Sequence, residues 1–251
     1  MAAQTGQKVF GSGRFYGIPT VSNPTPSQFG VVQNVSLDLK RDIKRLFGQN
    51  QLPVDIASGM LSVVGKAQMG TLNARLFNDL MIGGTLSTGQ IPFIANETLT
   101  ITTGSTTATA ANGAGFQVDL GIYGSTSGVP LVRVSSTAIL TTGQYAVSTA
   151  GVYTFSSLDS LTGLKASYLY STVGGQTVTM SNQPMGKTGG FQAVIALLWG
   201  TEKASINLGN CMASDIGYQT VLDDYMKPAF GFEAATDSSD NLGTFSFAEV
   251  E

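Results

Sequence analysis

The chain has 251 residues, of which 42% are hydrophobic and only 12% are charged, and its formal net charge is -3 at pH 7. A chain of this length and hydrophobicity can bury a core, so it is globular and not disordered. It contains no histidine and a single cysteine, Cys211, which excludes Ser-His-Asp and Cys-His catalysis, histidine metal sites and an internal disulfide. We therefore expect a protein that is not an enzyme and that uses no cofactor and no metal.

The first 30 residues predict an extended N-terminal arm. They include Gly11-Ser12-Gly13 and Asn23-Pro24-Thr25-Pro26, and segments of this kind resist regular structure. Such an arm buries too little surface to order itself and is ordered by a neighbouring subunit; the alternative is a loose terminus. The polar start, Met1 to Lys8, has no apolar run and predicts no secretory signal peptide.

A strand pair is predicted next. Residues 31–39 alternate apolar and polar side chains, which is typical of a half-buried strand. This strand is expected to end in a loop formed by the basic run 40–45. Leu52 to Ile56 and Met60 to Met69 are two further predicted strands, so an antiparallel pair is expected here.

One helix is predicted, from about Leu72 to Met81. Leu72, Leu76, Phe77 and Leu80 recur at helical spacing, and Gly83-Gly84 supplies a stop. Its apolar face is expected to cover one side of a sheet.

The rest of the chain has strand patterns only. Residues 95–150 are rich in threonine and predict an all-β insertion, while 31–94 and 151–251 predict the core domain. The predicted strands of the second half are 152–155, 166–170, 177–180, 191–199, 203–208, 230–234 and 244–247, and residues 218–226 predict a short helix or a loop. The sequence thus predicts a mainly β fold, a sandwich or barrel with one flanking helix.

Seven stretches stand out by their order and spacing along the chain: 35–48 (VSLDLKRDIKRLFG), 52–57 (LPVDIA), 65–67 (GKA), the helix at 73–81, 151–155 (GVYTF), 181–186 (SNQPMG) and 210–213 (NCMA). In this arrangement the chain resembles the major tail tube proteins of long-tailed bacteriophages, both contractile and non-contractile. The resemblance covers most of the chain outside about 95–150. It rests on the order and spacing of these stretches.

The resemblance implies a virion structural protein that forms hexameric rings stacked into a tube, the conduit for DNA ejection. It implies partners as well: further copies of the chain, and the tail terminator, distal tail and tape measure proteins. DNA would pass through the lumen without specific binding, no membrane would be involved, and the protein would be made in the host bacterial cytoplasm. Two alternatives stay open, a tube component of a phage-derived injection or secretion system and a capsid decoration or adhesin module.

Lys40, Arg41, Lys44 and Arg45 are the predicted assembly contacts. A short basic run can bind nucleic acid, but it more often forms a solvated loop or contacts a partner. Residues 1–80 carry eight basic and four acidic residues, whereas 81–251 carry five basic and twelve acidic ones. This uneven distribution of charge favours contact between the basic run and an acidic patch on the next ring.

Other motifs are weaker. The glycines of 11–17 have the wrong spacing for a dinucleotide fingerprint, and Asn96-Glu97-Thr98 matches a glycosylation acceptor by chance. Asp223-Asp224 is expected to be a solvated pair and not an acid pair or cation site. The apolar run 191–199 is about half the roughly 20 residues that a membrane helix needs and predicts a buried strand.

Overall fold

The computed structural model describes residues 11, 13–71, 73–124, 128–135, 140–159, 162–186, 189–199 and 202–247. The seventeen strands of these residues are, in chain order, β1 (Arg14–Pro19), β2 (Ser27–Gln28), β3 (Val32–Phe47), β4 (Pro53–Met69), β5 (Thr85–Gln90), β6 (Phe93–Thr98), β7 (Thr107–Thr109), β8 (Phe116–Tyr123), β9 (Val132–Arg133), β10 (Gln144–Val147), β11 (Val152–Phe155), β12 (Lys165–Tyr170), β13 (Thr172–Thr179), β14 (Phe191–Trp199), β15 (Glu202–Gly217), β16 (Ala229–Ala235) and β17 (Gly243–Ser246). The α-helix is α1 (Ala74–Phe77), which a π-helical turn, Asn78–Ile82, continues; a 3-10 turn spans Gly113–Gly115. The predicted mainly β fold is confirmed.

The chain divides into two compact units. The first unit contains Met1–Leu86 and Val178–Glu251, and the second contains Ser87–Thr177. β5 and β13, which contain the two points where the chain passes from one unit to the other, pair as a two-stranded sheet.

The first unit is organised around one large sheet. Its strands follow the order β2-β1-β14-β15-β16-β4-β3. β17 lies outside this order and pairs with β15. All of these pairs are antiparallel. Among the described residues the sheet does not close on itself: β2 and β3 lie at the two ends of this order, and β17 pairs with β15 alone.

Aromatic rings fill the core of the first unit. Five phenylalanines from β1, β14, β16 and the turn before β3 are at most 1% exposed, and their ring centroids lie 4.2 to 6.3 Å apart. They are Phe15, Phe29, Phe191, Phe230 and Phe232. Such tilted and stacked pairs stabilise a core beyond the area that they bury.

The expectation of an N-terminal arm is corrected for residues 14–30. β1 pairs along its full length with β14, from Arg14 opposite Ala196 to Pro19 opposite Phe191. Phe15 and Phe29 are both buried, with their rings 4.2 Å apart. The segment therefore belongs to the core of its own chain, because these two rings bury enough apolar surface to order it. Residues 1–10 and Ser12 lie outside the described residues.

The predicted helix is present but only its first turn is α-helical. Asn73 caps it: its side-chain oxygen accepts hydrogen bonds from the backbone N–H groups of Arg75 and Leu76, at 2.9 and 3.5 Å. The π-helical turn then ends at Gly83, whose φ of 59° is the left-handed conformation that glycine adopts easily. Leu76 and Leu80 pack into the aromatic core, as predicted.

The second unit is an all-β assembly with its own core. One of its sheets has the order β7-β11-β10-β9, and the other has the order β6-β12-β8. This unit is longer than the predicted insertion at 95–150. β11 and β12 belong to it because they pair with β7, β10, β6 and β8. The assignment of 151–170 to the core domain is corrected accordingly.

Candidate assembly interface

The hairpin of β3 and β4 extends beyond the large sheet. β16 pairs with β4 only from Val63 to Gln68, whereas β3 pairs with β4 along the whole length from Val32 to Phe47. The part of β4 that leaves the sheet, Pro53–Ser62, spans roughly 30 Å at about 3.3 Å per residue. We call residues 40–62 the free hairpin.

The free hairpin exposes large hydrophobic side chains. Eight of them are 47 to 81% accessible to solvent: Ile43, Leu46, Phe47, Leu52, Val54, Ile56, Met60 and Leu61. A two-stranded ribbon of this kind is marginally stable in water when it stands alone. Large apolar side chains exposed together in one element mark a site of interaction with another molecule.

The four predicted contact residues lie in this hairpin, but in a strand and not in a loop. β3 continues through the basic run to Phe47, because it stays paired with β4 from Lys40 opposite Ser62 to Phe47 opposite Pro53. The expectation that the strand ends before Lys40 is therefore wrong. The two predicted strands at 52–56 and 60–69 are likewise one strand, β4, which a shift of register interrupts opposite Arg41 and Ile43.

The alternation divides the four basic residues between two faces. Residues paired across an antiparallel ladder lie on the same face, and β3 residues two apart share a face. The face that contains the buried Val63 continues outward through Arg41, Leu61, Ile43, Arg45 and Ile56. We call this the core-side face. Lys40, Asp42 and Lys44 lie on the opposite face, so the run does not form a single basic patch.

The charges of the free hairpin are only partly paired within the chain. Lys44 Nζ lies 2.6 Å from Asp42 Oδ2, with both side chains largely exposed, and such surface pairs contribute about 0–1 kcal/mol. Among the described residues, Lys40, Arg41 and Arg45 make no salt bridge. Three cations are thus available to a partner.

β3 also forms an edge of the large sheet. Among the described residues no strand pairs with its outer side, which presents backbone N–H and C=O groups along residues 33–47. Long edge strands are templates for pairing with another chain. The opposite edge, β2, has only two residues.

A second exposed apolar surface lies in the loop between β15 and β16. This loop, residues 218–228, forms neither helix nor strand, so the loop alternative of the prediction is confirmed. Leu222 and Tyr225 are 105% and 85% exposed. The loop is held at its ends, where Tyr218 contacts the ring of Phe77 at 6.0 Å and the backbone N–H of Met69 donates to the carbonyl of Pro228 at 3.0 Å.

The acidic pair of this loop is solvated. Lys227 Nζ donates to Asp224 Oδ2 at 2.6 Å, and this hydrogen bond holds the pKa of Asp224 below its usual range. Asp223 makes no salt bridge within the part of the chain that the structure describes. The described residues contain no group of three or more acidic or cysteine side chains that would hold a metal ion.

Polar groups inside the second unit bind one another. The side chain of Asp119 is only 2% exposed, and it accepts hydrogen bonds from the hydroxyls of Tyr145 and Tyr153, at 2.7 and 3.2 Å. Burial and the Asp119 carboxylate raise the pKa of both tyrosines above the ordinary value. This cluster therefore links strands β8, β10 and β11.

Glu97 and Cys211 are two further chemical groups of the described residues. Glu97, part of the Asn96-Glu97-Thr98 motif, accepts hydrogen bonds from the Tyr168 hydroxyl and from the Ala111 backbone N–H. Cys211 is buried, and burial raises the pKa of its thiol to about 12. No helix of the described residues is long and apolar enough to cross a membrane.

Sequence reasoning located the hairpin but missed its exposed apolar residues and those of the 218–228 loop. An alternating strand predicts one buried face, whereas the free hairpin has neither face buried. The signal present in the sequence is a long strand pair with charges and large apolar residues on both faces. No protein-family model and no curated protein matches the sequence.

Proposed function

We propose that this protein is a virion structural subunit that assembles into stacked hexameric rings and forms the tail tube of a bacteriophage, the conduit for DNA ejection. The observation that carries the proposal is the free hairpin, which exposes eight large hydrophobic side chains beyond the sheet. A subunit in an assembly covers such a surface with its neighbours, whereas an isolated chain would leave it in water.

The sheet edges support a ring. Side-by-side association of subunits covers the β3 edge, and a head-to-tail contact closes when the rotation between neighbours divides a full turn. The number of six subunits and the tube itself come from the resemblance to tail tube proteins. Tail terminator, distal tail and tape measure proteins are the further partners proposed on the same ground.

The net charge fits a conduit that does not hold DNA. With -3 on each chain, a hexameric ring carries a formal charge of roughly -18. Phosphates bind proteins chiefly through lysine and arginine, with release of counterions. A ring with a surplus of carboxylates lets DNA pass without specific binding.

A decoration or adhesin module is the second candidate, and the second unit is the observation that favours it. That unit has a core of its own, built from Tyr145, Tyr153, Phe155 and Tyr168 among others, as a separate binding module would have. This candidate predicts monomers or small oligomers that bind a surface and never form tubes. A tube component of a phage-derived injection or secretion system would assemble in the same way as a tail tube protein. It would differ in the larger complex to which the tube belongs.

Electron microscopy of the purified protein over a series of concentrations tests the proposal. We expect rings and hollow tubes from the wild-type chain and no tubes from the double variant Ile43→Asp, Ile56→Asp. The matched control is Leu158→Asp, since Leu158 is a 77% exposed side chain in the second unit and its variant should assemble normally. A wild-type protein that stays monomeric at every concentration would overturn the proposal in favour of the second candidate.

A further inference from the structure

The free hairpin and the 218–228 loop lie at opposite ends of the same strands. In the register of β4 and β16, Ala234 lies opposite Val63 and Ala229 lies opposite Gln68. The free hairpin begins one residue beyond Val63, and the loop ends one residue before Ala229. The paired segment between them is roughly 17 Å long, and the hairpin leads away from it. One copy's hairpin is therefore directed away from its own loop.

The two surfaces have complementary chemistry. The free hairpin holds four basic and two acidic residues, whereas the loop holds two acidic residues and one basic residue. Lys227 already pairs with Asp224 within the loop, which leaves Asp223 for a cation from elsewhere. On the hairpin, Arg41 and Arg45 alternate with Ile43 on the core-side face and make no salt bridge among the described residues.

Both surfaces also expose large apolar groups. The loop presents Tyr218, Val221, Leu222, Tyr225 and Met226, each at least 39% exposed. Burial of aromatic and aliphatic side chains between copies supplies most of the stabilisation in such an interface, while the charges select the partner and its orientation.

We propose that the 218–228 loop is the receptor for the free hairpin of a second copy, so that one copy's hairpin docks on the next copy's loop. This inference rests on the proposed function and names the partner surface of the hairpin. Two different surfaces at opposite ends of one element give a heterologous, head-to-tail contact. Such a contact repeats along the strand direction without closing, and this is how a stack grows in length.

A mixing experiment tests the pairing. Variant H carries Ile43→Asp and Ile56→Asp in the free hairpin, and variant L carries Leu222→Asp and Tyr225→Asp in the loop. We expect neither variant to form tubes alone. Variant H keeps an intact loop and variant L keeps an intact hairpin, so an equimolar mixture should form complexes of twice the mass that each variant has alone, without tubes. Mass is measured by light scattering after size-exclusion chromatography.

The controls separate this inference from the proposed function. Met185→Asp is the matched control for variant L, because Met185 is 103% exposed in the same unit, and it should form tubes as the wild type does. Circular dichroism establishes that each variant is folded. Tubes from variant L, or a mixture that does not double in mass, would overturn the docking of hairpin on loop while the proposed function stands. A wild-type chain that forms no tubes overturns both.

Discussion

Replacing Gly65 with alanine tests the packing at the root of the free hairpin. Gly65 pairs with Leu37 on one side and with Phe232 on the other. A Cβ atom at this position would lie 2.0, 2.4 and 2.5 Å from three carbons of the Phe232 ring. Ordinary contact begins at 3.4 Å, so the ring would have to move by more than 1 Å. Glycine is required here because the ring occupies the place of its side chain.

Two opposing effects decide the outcome. Alanine in a strand is favoured over glycine by roughly 0.5–1 kcal/mol, because glycine loses more backbone freedom on folding. Overpacking a core costs about 1–3 kcal/mol, and Phe232 is fully buried, with the rings of Phe15 and Phe230 at 5.6 and 5.7 Å. Since these neighbours resist its movement, the clash should win, and we expect a net loss of about 1 kcal/mol from the free energy of unfolding.

Urea unfolding followed by circular dichroism measures this loss as a shift of the midpoint at constant slope. The matched control is Gly174→Ala, where the added Cβ meets no atom within 4 Å, and its midpoint should not fall. In the background of Phe232→Leu, which lacks the outer ring carbons, Gly65→Ala should cost much less. Equal costs in the two backgrounds would refute the reasoning, because they would show that the ring is not the obstacle.

The hairpin charges and the second unit can be tested in the same way. Reversing the charges of Lys40, Arg41, Lys44 and Arg45 together should block tube growth, and unimpaired polymerisation in electron micrographs would contradict their role. Reversal of Arg41 and Arg45 alone should slow tube growth, measured by light scattering, more than reversal of Lys40 and Lys44, because Lys44 is already paired within its own chain. Burial raises the pKa of Tyr145 above its ordinary value of 10.0, so the native state keeps a proton that the unfolded chain loses. Stability should therefore fall as the pH rises above about 10. Over this pH range the urea midpoint of Tyr145→Phe should fall less than that of the wild type. An equal fall in both proteins would show that Tyr145 is not the group responsible.

Local patterns predicted strands that overlap β3, β4 and β11 to β17. The stretch 152–155 was predicted residue for residue as β11, and 191–199 as β14. Their side chains alternate or form a short apolar run between turn residues, and these signals depend only on neighbours in sequence. The helix before Gly83 was found for the same reason, since Leu76 and Leu80 lie one turn apart.

The limits of the units depend on contacts between distant residues. β12 was predicted as a strand, but its pairing with β6 and β8 places it in the second unit. Likewise, Phe15 and Phe29 lie in a segment rich in glycine and proline, and only their position among the other rings reveals that they belong to the core. No local pattern contains this information.

The sequence by itself determined that the chain is mainly β, that its cysteine forms no internal disulfide and that its charged residues are few and unevenly distributed. These properties follow from composition and from side-chain periodicity, which are present in the chain before it folds. Only the tertiary structure decided that β16 covers β4 as far as Val63 and no farther. The packing of the whole sheet sets the register of these strands. This register places the basic run on the free hairpin and the 218–228 loop at the opposite end of the paired segment of β4 and β16.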